Sequence, residues 1–225
     1  AMCYGYIVAM EENLSSIGIQ MTYANLDTEE IKRFREVFSI EDLSDWYQKL
    51  LDEYHKWLSY SLKWKKERNE SLQNLEFPFP YREGQRKMVG SVYHSISAGR
   101  QIFIQAPTGV GKTMSTIFPA VRAVGEGKGE TIFYLTAKTI TRTVAEEAFA
   151  VLQEKGMKYK VVTITAKDKL CFMEETKCNP AHCPYAKGHF DRVNDAVYEL
   201  WTSSHVYDRQ TILGQAEKRQ VCPFE

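Results

Sequence analysis

Apolar and polar residues alternate through Ile17, Ile19, Met21 and Tyr23, with Gly18, Gln20 and Thr22 between them. A period of two predicts a half-buried strand over 17–23. "NLDTEE" reads as a turn and "IKRFREVF" as a second, weaker strand. The period then changes. Ser39 stands before "IEDL" with Asp42 three residues on, the pattern of a side-chain cap at a helix start. Apolar residues follow at Leu43, Trp46, Leu50, Tyr54, Trp57 or Leu58, and Leu62. Spacings of three and four predict one amphipathic helix over about 40–69, ended by Pro78 and Pro80, which cannot continue it.

A different rhythm follows. "QIFIQ" (101–105), "TIFYLT" (131–136) and "KVVTIT" (160–165) are short apolar runs, separated by the helical stretches "KTMSTIFPAVRAV" and "TRTVAEEAFAVLQEKG". Strand and helix in alternation predict an α/β fold with a parallel sheet and right-handed crossovers. From Lys167 onward the chain is polar and carries cysteines, with a helical stretch around "HFDRVNDAVYELW". Three parts are expected: an α+β segment over 1–77, an α/β domain over 78–168 and a cysteine-bearing insertion over 169–225.

Composition narrows the class. Lys+Arg and Asp+Glu are 29 each, so no global basic charge argues for a nucleic-acid partner. Local clusters, "KWKKER" and Lys155, Lys158, Lys160, Lys167 and Lys169, would have to supply one. No apolar run approaches the roughly 20 residues that span a bilayer, and no membrane partner is expected. "AMCYGYIVAMEEN" lacks the basic start of a signal peptide. A cytoplasmic protein is expected, where structural disulfides are rare, so the cysteines point to metal. Cys3 stands apart as a free, partly buried thiol.

"APTGVGKT" lies between an apolar run and a helix. Phosphate binding needs small residues there, so that backbone N–H groups converge on the oxygens; Gly109 and Gly111 supply them, and the following helix adds its positive end. Lys112 would reach the β- and γ-phosphates and Thr113 would hold Mg²⁺. Ala106 replaces the usual first glycine.

These residues resemble motif I of superfamily 2 helicases. "YREGQRKM" resembles the Q motif of those enzymes, and "YLTAKTITRTVAEEAF" resembles motif Ia. The resemblance implies a RecA-like motor domain that binds ATP with Mg²⁺. ATP would lie on Ala106, Pro107, Thr108, Gly109, Val110, Gly111, Lys112 and Thr113, with Lys112 and Thr113 as the catalytic pair. Gln85 would read the adenine edge beside Tyr81 and Arg82, and Lys138, Thr139 and Arg142 would touch the DNA backbone.

The cysteines follow C-x6-C-x4-C-x38-C-P at Cys171, Cys178, Cys183 and Cys222. Structural zinc favours paired C-x2–4-C knuckles, and a [4Fe–4S] cluster takes four thiolates on irregular loops; spacing leaves both open. Their position after the third apolar run of a motor resembles the iron–sulfur helicases of the XPD/DinG type. That likeness makes the four cysteines ligands of a [4Fe–4S] cluster, and leaves His182 and His189 as surface residues. Without metal, roughly 170–225 would be mobile, by analogy with small metal-dependent domains.

The same resemblance extends to the N-terminus. A strand pair and a Trp-rich helix ahead of a DinG-like motor are similar to a RecB-like PD-(D/E)xK nuclease domain, with "CYGYIVA" as the tail of the helix whose motif ends at Tyr4. The acidic box that holds Mg²⁺ in helicases is missing. "LDEYH" (51–55) imitates its letters inside the long helix, so Asp52 and Glu53 read as surface charges. The chain is expected to be a piece of a helicase acting 5′→3′ on single-stranded or forked DNA in repair, one that binds nucleotide without turnover. A P-loop regulator with a zinc module is the alternative. An open sheet edge would pair copies of the chain, so an oligomer would reflect that edge rather than function.

Overall fold

The structure, a computed structural model, is described here for residues 1–137 and 139–224, with the side chains of 139 and 140 set aside. It forms two compact units, residues 1–61 and 62–225, which divide inside a helix.

The first unit holds α1 (Met2–Glu11), β1 (Ser16–Ala24), β2 (Ile31–Ser39) and the start of α2 (Ile40–Gln73). β1 and β2 pair antiparallel, with Met21 opposite Phe34 and Tyr23 opposite Lys32. Asn25 shapes the turn, its Oδ1 accepting from the Asp27 and Thr28 amides at 2.9 and 3.2 Å. The Ser39 hydroxyl accepts from the Asp42 amide at 3.0 Å and donates to its carboxylate, as the capping pattern requires. Both predicted strands and the long helix are present.

Their burial differs from expectation. Ile17 and Ile19 are half-buried near α1, but Met21 and Tyr23 are exposed. On α2 only Leu43 is fully buried within this unit; Leu50, Leu51, Tyr54 and Leu58 are open. Periodicity specifies which side chains share a face, whereas burial needs an element to cover it. A two-stranded hairpin and α1 are too small to cover either face completely.

The second unit gathers the end of α2, α3 (Gln85–Ser97), α4 (Lys112–Gly125) and α5 (Thr139–Glu154). Leu72, Leu75, Val89, Ile117, Phe118, Val121, Phe149 and Leu152 form its main core. Arg122 donates to the Gln73 and Leu75 carbonyls, and Gln73 donates back to the Gly125 carbonyl at 2.7 Å. These bonds cap the C-terminal ends of α2 and α4 against each other.

The predicted parallel sheet is not formed among the described residues. Residues 101–105 and 131–136 carry no ladder, and 160–165 shortens to β3 (Val161–Val162), which pairs in parallel with β4 (Val206–Tyr207). Phe103 is 94% exposed, Leu135 88% and Ile164 84%. A parallel strand needs hydrogen-bonded neighbours on its edges and a layer on each face; these apolar runs have too few of either.

Between β3 and β4 the chain passes through α6 (Lys167–Leu170), an irregular stretch over 171–188, and α7 (His189–Ser203). α8 (Arg209–Arg219) follows β4 and packs on α7 around Ala196, Ala216 and Val221. The segment after 170 therefore owns a small core of its own. Lys160 ties it to the larger core. Its ammonium donates to the Trp201 and Ser204 carbonyls and the Tyr207 hydroxyl, and lies 4.4 Å from the Trp64 ring centre. Burial lowers the Lys160 pKa to about 8, and the ring of acceptors keeps the ammonium charged at neutral pH.

Candidate nucleotide site and cysteine cavity

The loop over 106–111 turns directly into α4. Gly109 and Gly111 adopt φ of +83° and +82°, a backbone region that costs a residue with a Cβ roughly 1–2 kcal/mol. Gly111 is also tight, because a Cβ there would stand 2.5 Å from Gln85 Nε2. Lys112 folds back over the loop and donates to the Ala106 and Pro107 carbonyls at 2.9 and 2.8 Å. Thr113 follows, half-buried in the first turn of α4. Amides at a helix start, a lysine across the loop and a hydroxyl beside it make an anion-binding end.

Upstream residues close one side. Gln85 is buried, 4% exposed, and its Oε1 accepts from the Arg82 amide at 3.0 Å. Arg82 reaches the Gly109 carbonyl, and Tyr81 stacks on Phe77 with ring centres 4.3 Å apart. The structure thus brings Arg82 and Gln85 to the phosphate loop, although they lie more than twenty residues before it in the chain, while Tyr81 packs on Phe77. Val110 and Thr108 sit in the loop's turn.

Arg142 pairs with Glu146 one turn on, Nε to Oε1 3.5 Å, and Glu146 accepts from the Thr163 hydroxyl at 2.8 Å. It borders an open trough of about 570 Å³ that Phe133, Leu135, Val162 and Ile164 also line. Lys138 and the side chain of Thr139 lie outside the described residues. The "LDEYH" stretch is helical and exposed, with Asp52 accepting from Gln48 at 2.9 Å and Glu53 paired with Lys56.

Cys171, Cys178, Cys183 and Cys222 all line one cavity of about 210 Å³, together with Lys167, Met173, Lys177, Pro180, His189, Phe190 and Phe224. None of the four is in a disulfide. Local bonds aim the loop: Asn179 Oδ1 accepts from the Ala181 and His182 amides at 3.1 Å, and the Asn179 carbonyl accepts from the Cys183 amide at 2.9 Å. No three His, Cys, Asp or Glu side chains among the described residues converge closely enough to hold one ion. A single zinc would need its thiolates at about 2.3 Å from one point. Thiolates are donors common to zinc and iron–sulfur sites, and the four border one cavity.

His182 is exposed, as expected. His189 is a correction. It is 5% exposed and its Nδ1 accepts from the Cys222 amide at 3.1 Å. Sequence reasoning set it aside because four cysteines complete a ligand count; nothing local signals a bond to a residue 33 positions away.

The family model for DEAD/DEAH box helicases matches residues 82–196, just over half of the chain, and takes in the phosphate loop and the residues packed around it. The chain belongs to the DEAD/DEAH box helicase family. A curated relative, described as a probable ATP-dependent helicase of Methanocaldococcus jannaschii, is 28% identical over 123 residues, which are 53% of this chain and 18% of the relative. The chain thus spans under a fifth of that relative's length. No solved structure matches. Helicases of this family bind and hydrolyse ATP and act on nucleic acid, which accounts for a phosphate loop. No helix of the described residues is long and apolar enough to cross a membrane.

Proposed function

We propose that these 225 residues are the nucleotide-binding portion of an ATP-dependent DNA helicase of the XPD/DinG type. The parent enzyme would couple ATP hydrolysis to translocation on single-stranded DNA, 5′→3′ by family resemblance, and to unwinding of forked duplexes in the cytoplasm. The observation that carries this reading is the Gly111–Lys112–Thr113 junction at the start of α4, inside the segment that matches the helicase family.

Phosphoryl transfer to water is mainly a matter of positioning and charge neutralisation. The loop amides would receive the phosphates, and Lys112 would exchange its two loop carbonyls for β- and γ-phosphate oxygens. Thr113 would hold Mg²⁺. The base would lie near Tyr81 and Arg82, and Gln85, packed on Gly111, would link the base side to the phosphate side. Lys138, Thr139 and Arg142 would meet the DNA backbone, Arg142 leaving Glu146 to do so; an exposed i,i+4 pair is worth only about 0.3–0.5 kcal/mol.

The cysteine cavity supports a [4Fe–4S] cluster held by Cys171, Cys178, Cys183 and Cys222. Such a cluster would cross-link the irregular loop to the end of α8. Residues 1–77 are proposed as the remnant of a PD-(D/E)xK nuclease-like domain, in line with the helix that carries Tyr4; they contain no nuclease site. "LDEYH" forms part of an exposed helix surface, and the sequence carries no acidic box after the phosphate loop, so this chain is expected to bind ATP with little or no turnover.

The test is anaerobic purification, an absorption spectrum, and iron, sulfide and zinc assays on one sample. A brown protein with about four irons per chain that binds a fluorescent ATP analogue meets both halves of the reading. One tightly held zinc would remove the XPD/DinG assignment. DNA-stimulated ATP turnover by this chain would refute the claim that the acidic box is indispensable.

A further inference from the structure

We propose that His189 is the positioning residue for Cys222, holding that distant thiol in register with the other three. The proposal rests on the cluster reading above. The first three cysteines share one short loop, whereas Cys222 arrives after α7, β4 and α8. Something must therefore fix the far end of the chain at the cavity.

The first turn of α7 does this. His189 Nδ1 accepts the Cys222 amide at 3.1 Å. A backbone N–H can only donate, so Nδ1 carries no hydrogen and the neutral ring bears its proton on Nε2. Three residues on, Arg192 donates through Nη2 to the Gln220 carbonyl at 2.6 Å and to the Lys187 carbonyl at 2.8 Å, and through Nε to the Arg219 carbonyl at 3.2 Å. Arg192 thus clamps the end of α8 to the chain just before α7, and His189 sets the next peptide, that of Cys222. His189 and Cys222 border the same cavity. A side chain this buried with a polar atom committed to a ligand's own backbone serves that ligand's placement; partners of this kind orient ligands in metal sites generally.

The test uses the whole chain in two states. In metal-free, reduced protein, pulse alkylation followed by mass spectrometry gives a rate for each cysteine. His189→Ala should raise the Cys222 rate on the order of fivefold, the factor one net hydrogen bond is typically worth. Cys178, already exposed, should hold its wild-type rate. His189→Asn, which keeps an acceptor, should restore part of the protection. In cluster-loaded protein, His189→Ala should release iron to a chelator faster than wild type. Far-UV circular dichroism reports whether the Ala variant folds, and if it does not, the Asn variant and Arg192→Lys carry the comparison. Equal Cys222 rates in wild type and folded variants would overturn the positioning role. A rise shared by all four cysteines would overturn it too, because general loosening would then explain the change. A wild-type protein that takes up no iron would instead overturn the cluster reading, whatever the alkylation rates.

Discussion

Lys112 and Gly111 carry the clearest residue-scale consequences. Lys112→Ala removes charge-assisted hydrogen bonds worth about 1.5–3 kcal/mol each when made to phosphate, so affinity for a fluorescent ATP analogue should fall roughly ten- to a hundredfold. An unchanged Kd would show that the nucleotide does not engage this lysine. Gly111→Ala meets two penalties together, the left-handed backbone and Gln85 Nε2 at 2.5 Å. It should weaken nucleotide binding by about tenfold or more and lower Tm as well. Gln85→Ala should cost about 1–2 kcal/mol in stability, read by urea unfolding, since a buried amide that holds Arg82 and packs on Gly111 is lost. The glycines, Lys112 and Thr113 were legible in the sequence because a phosphate loop is a local device. The Gln85 packing was not, because it joins two elements through a side chain.

At the scale of elements, α7 and α8 are held by Glu199. It accepts from Lys218, from Gln215 at 3.0 Å and from Arg219 at 2.8 Å. The Lys218 bond first, then those of Gln215 and Arg219, lower its pKa from 4.5 to about 2. A carboxylate with a lowered folded-state pKa stabilises above its unfolded value and loses that contribution as pH falls through the folded one. The Tm difference between wild type and Glu199→Gln should therefore be full near pH 6 and shrink between about pH 4.5 and 2. A difference independent of pH would mean the carboxylate's charge plays no part. The irregular stretch over 171–188 lies outside that network and is held by local bonds around Asn179 and by Arg192 at Lys187, so limited proteolysis of metal-free protein should cut there before it cuts α7 or α8. Early cleavage within α8 would contradict the small core around Ala196 and Ala216.

Over the whole molecule, the decisive feature is apolar surface left open on the second unit. Phe103, Phe133 and Leu135 are 94%, 78% and 88% exposed, and exposed apolar surface favours association. Sedimentation velocity should show mass rising with protein concentration, and Phe103→Lys with Leu135→Lys should suppress it. A strictly monomeric wild type at high concentration would refute this. The proposed contact with DNA belongs to the same scale: Arg142→Ala should weaken single-strand binding and reduce the salt slope by about one unit.

The sequence by itself determined the hairpin, the capped start of α2, the phosphate loop and the helices that follow it. Each is encoded within a few residues, by a period of two, a Ser-x-x-Asp cap, or glycines ahead of a lysine. It also named the four cysteines, since residue type alone marks a thiol. Only the tertiary structure decided which apolar faces are covered, because burial depends on what lies opposite: Leu43 and Leu72 are buried while Leu50 and Tyr54 on the same helix are open. It alone gathered the four thiols around one cavity and set His189 against Cys222, since a bond across 33 residues leaves no trace in local pattern. The parallel sheet marks the same division. The apolar runs specify strands, but a ladder exists only where another strand supplies the matching N–H and C=O groups, and β3 finds that partner in β4.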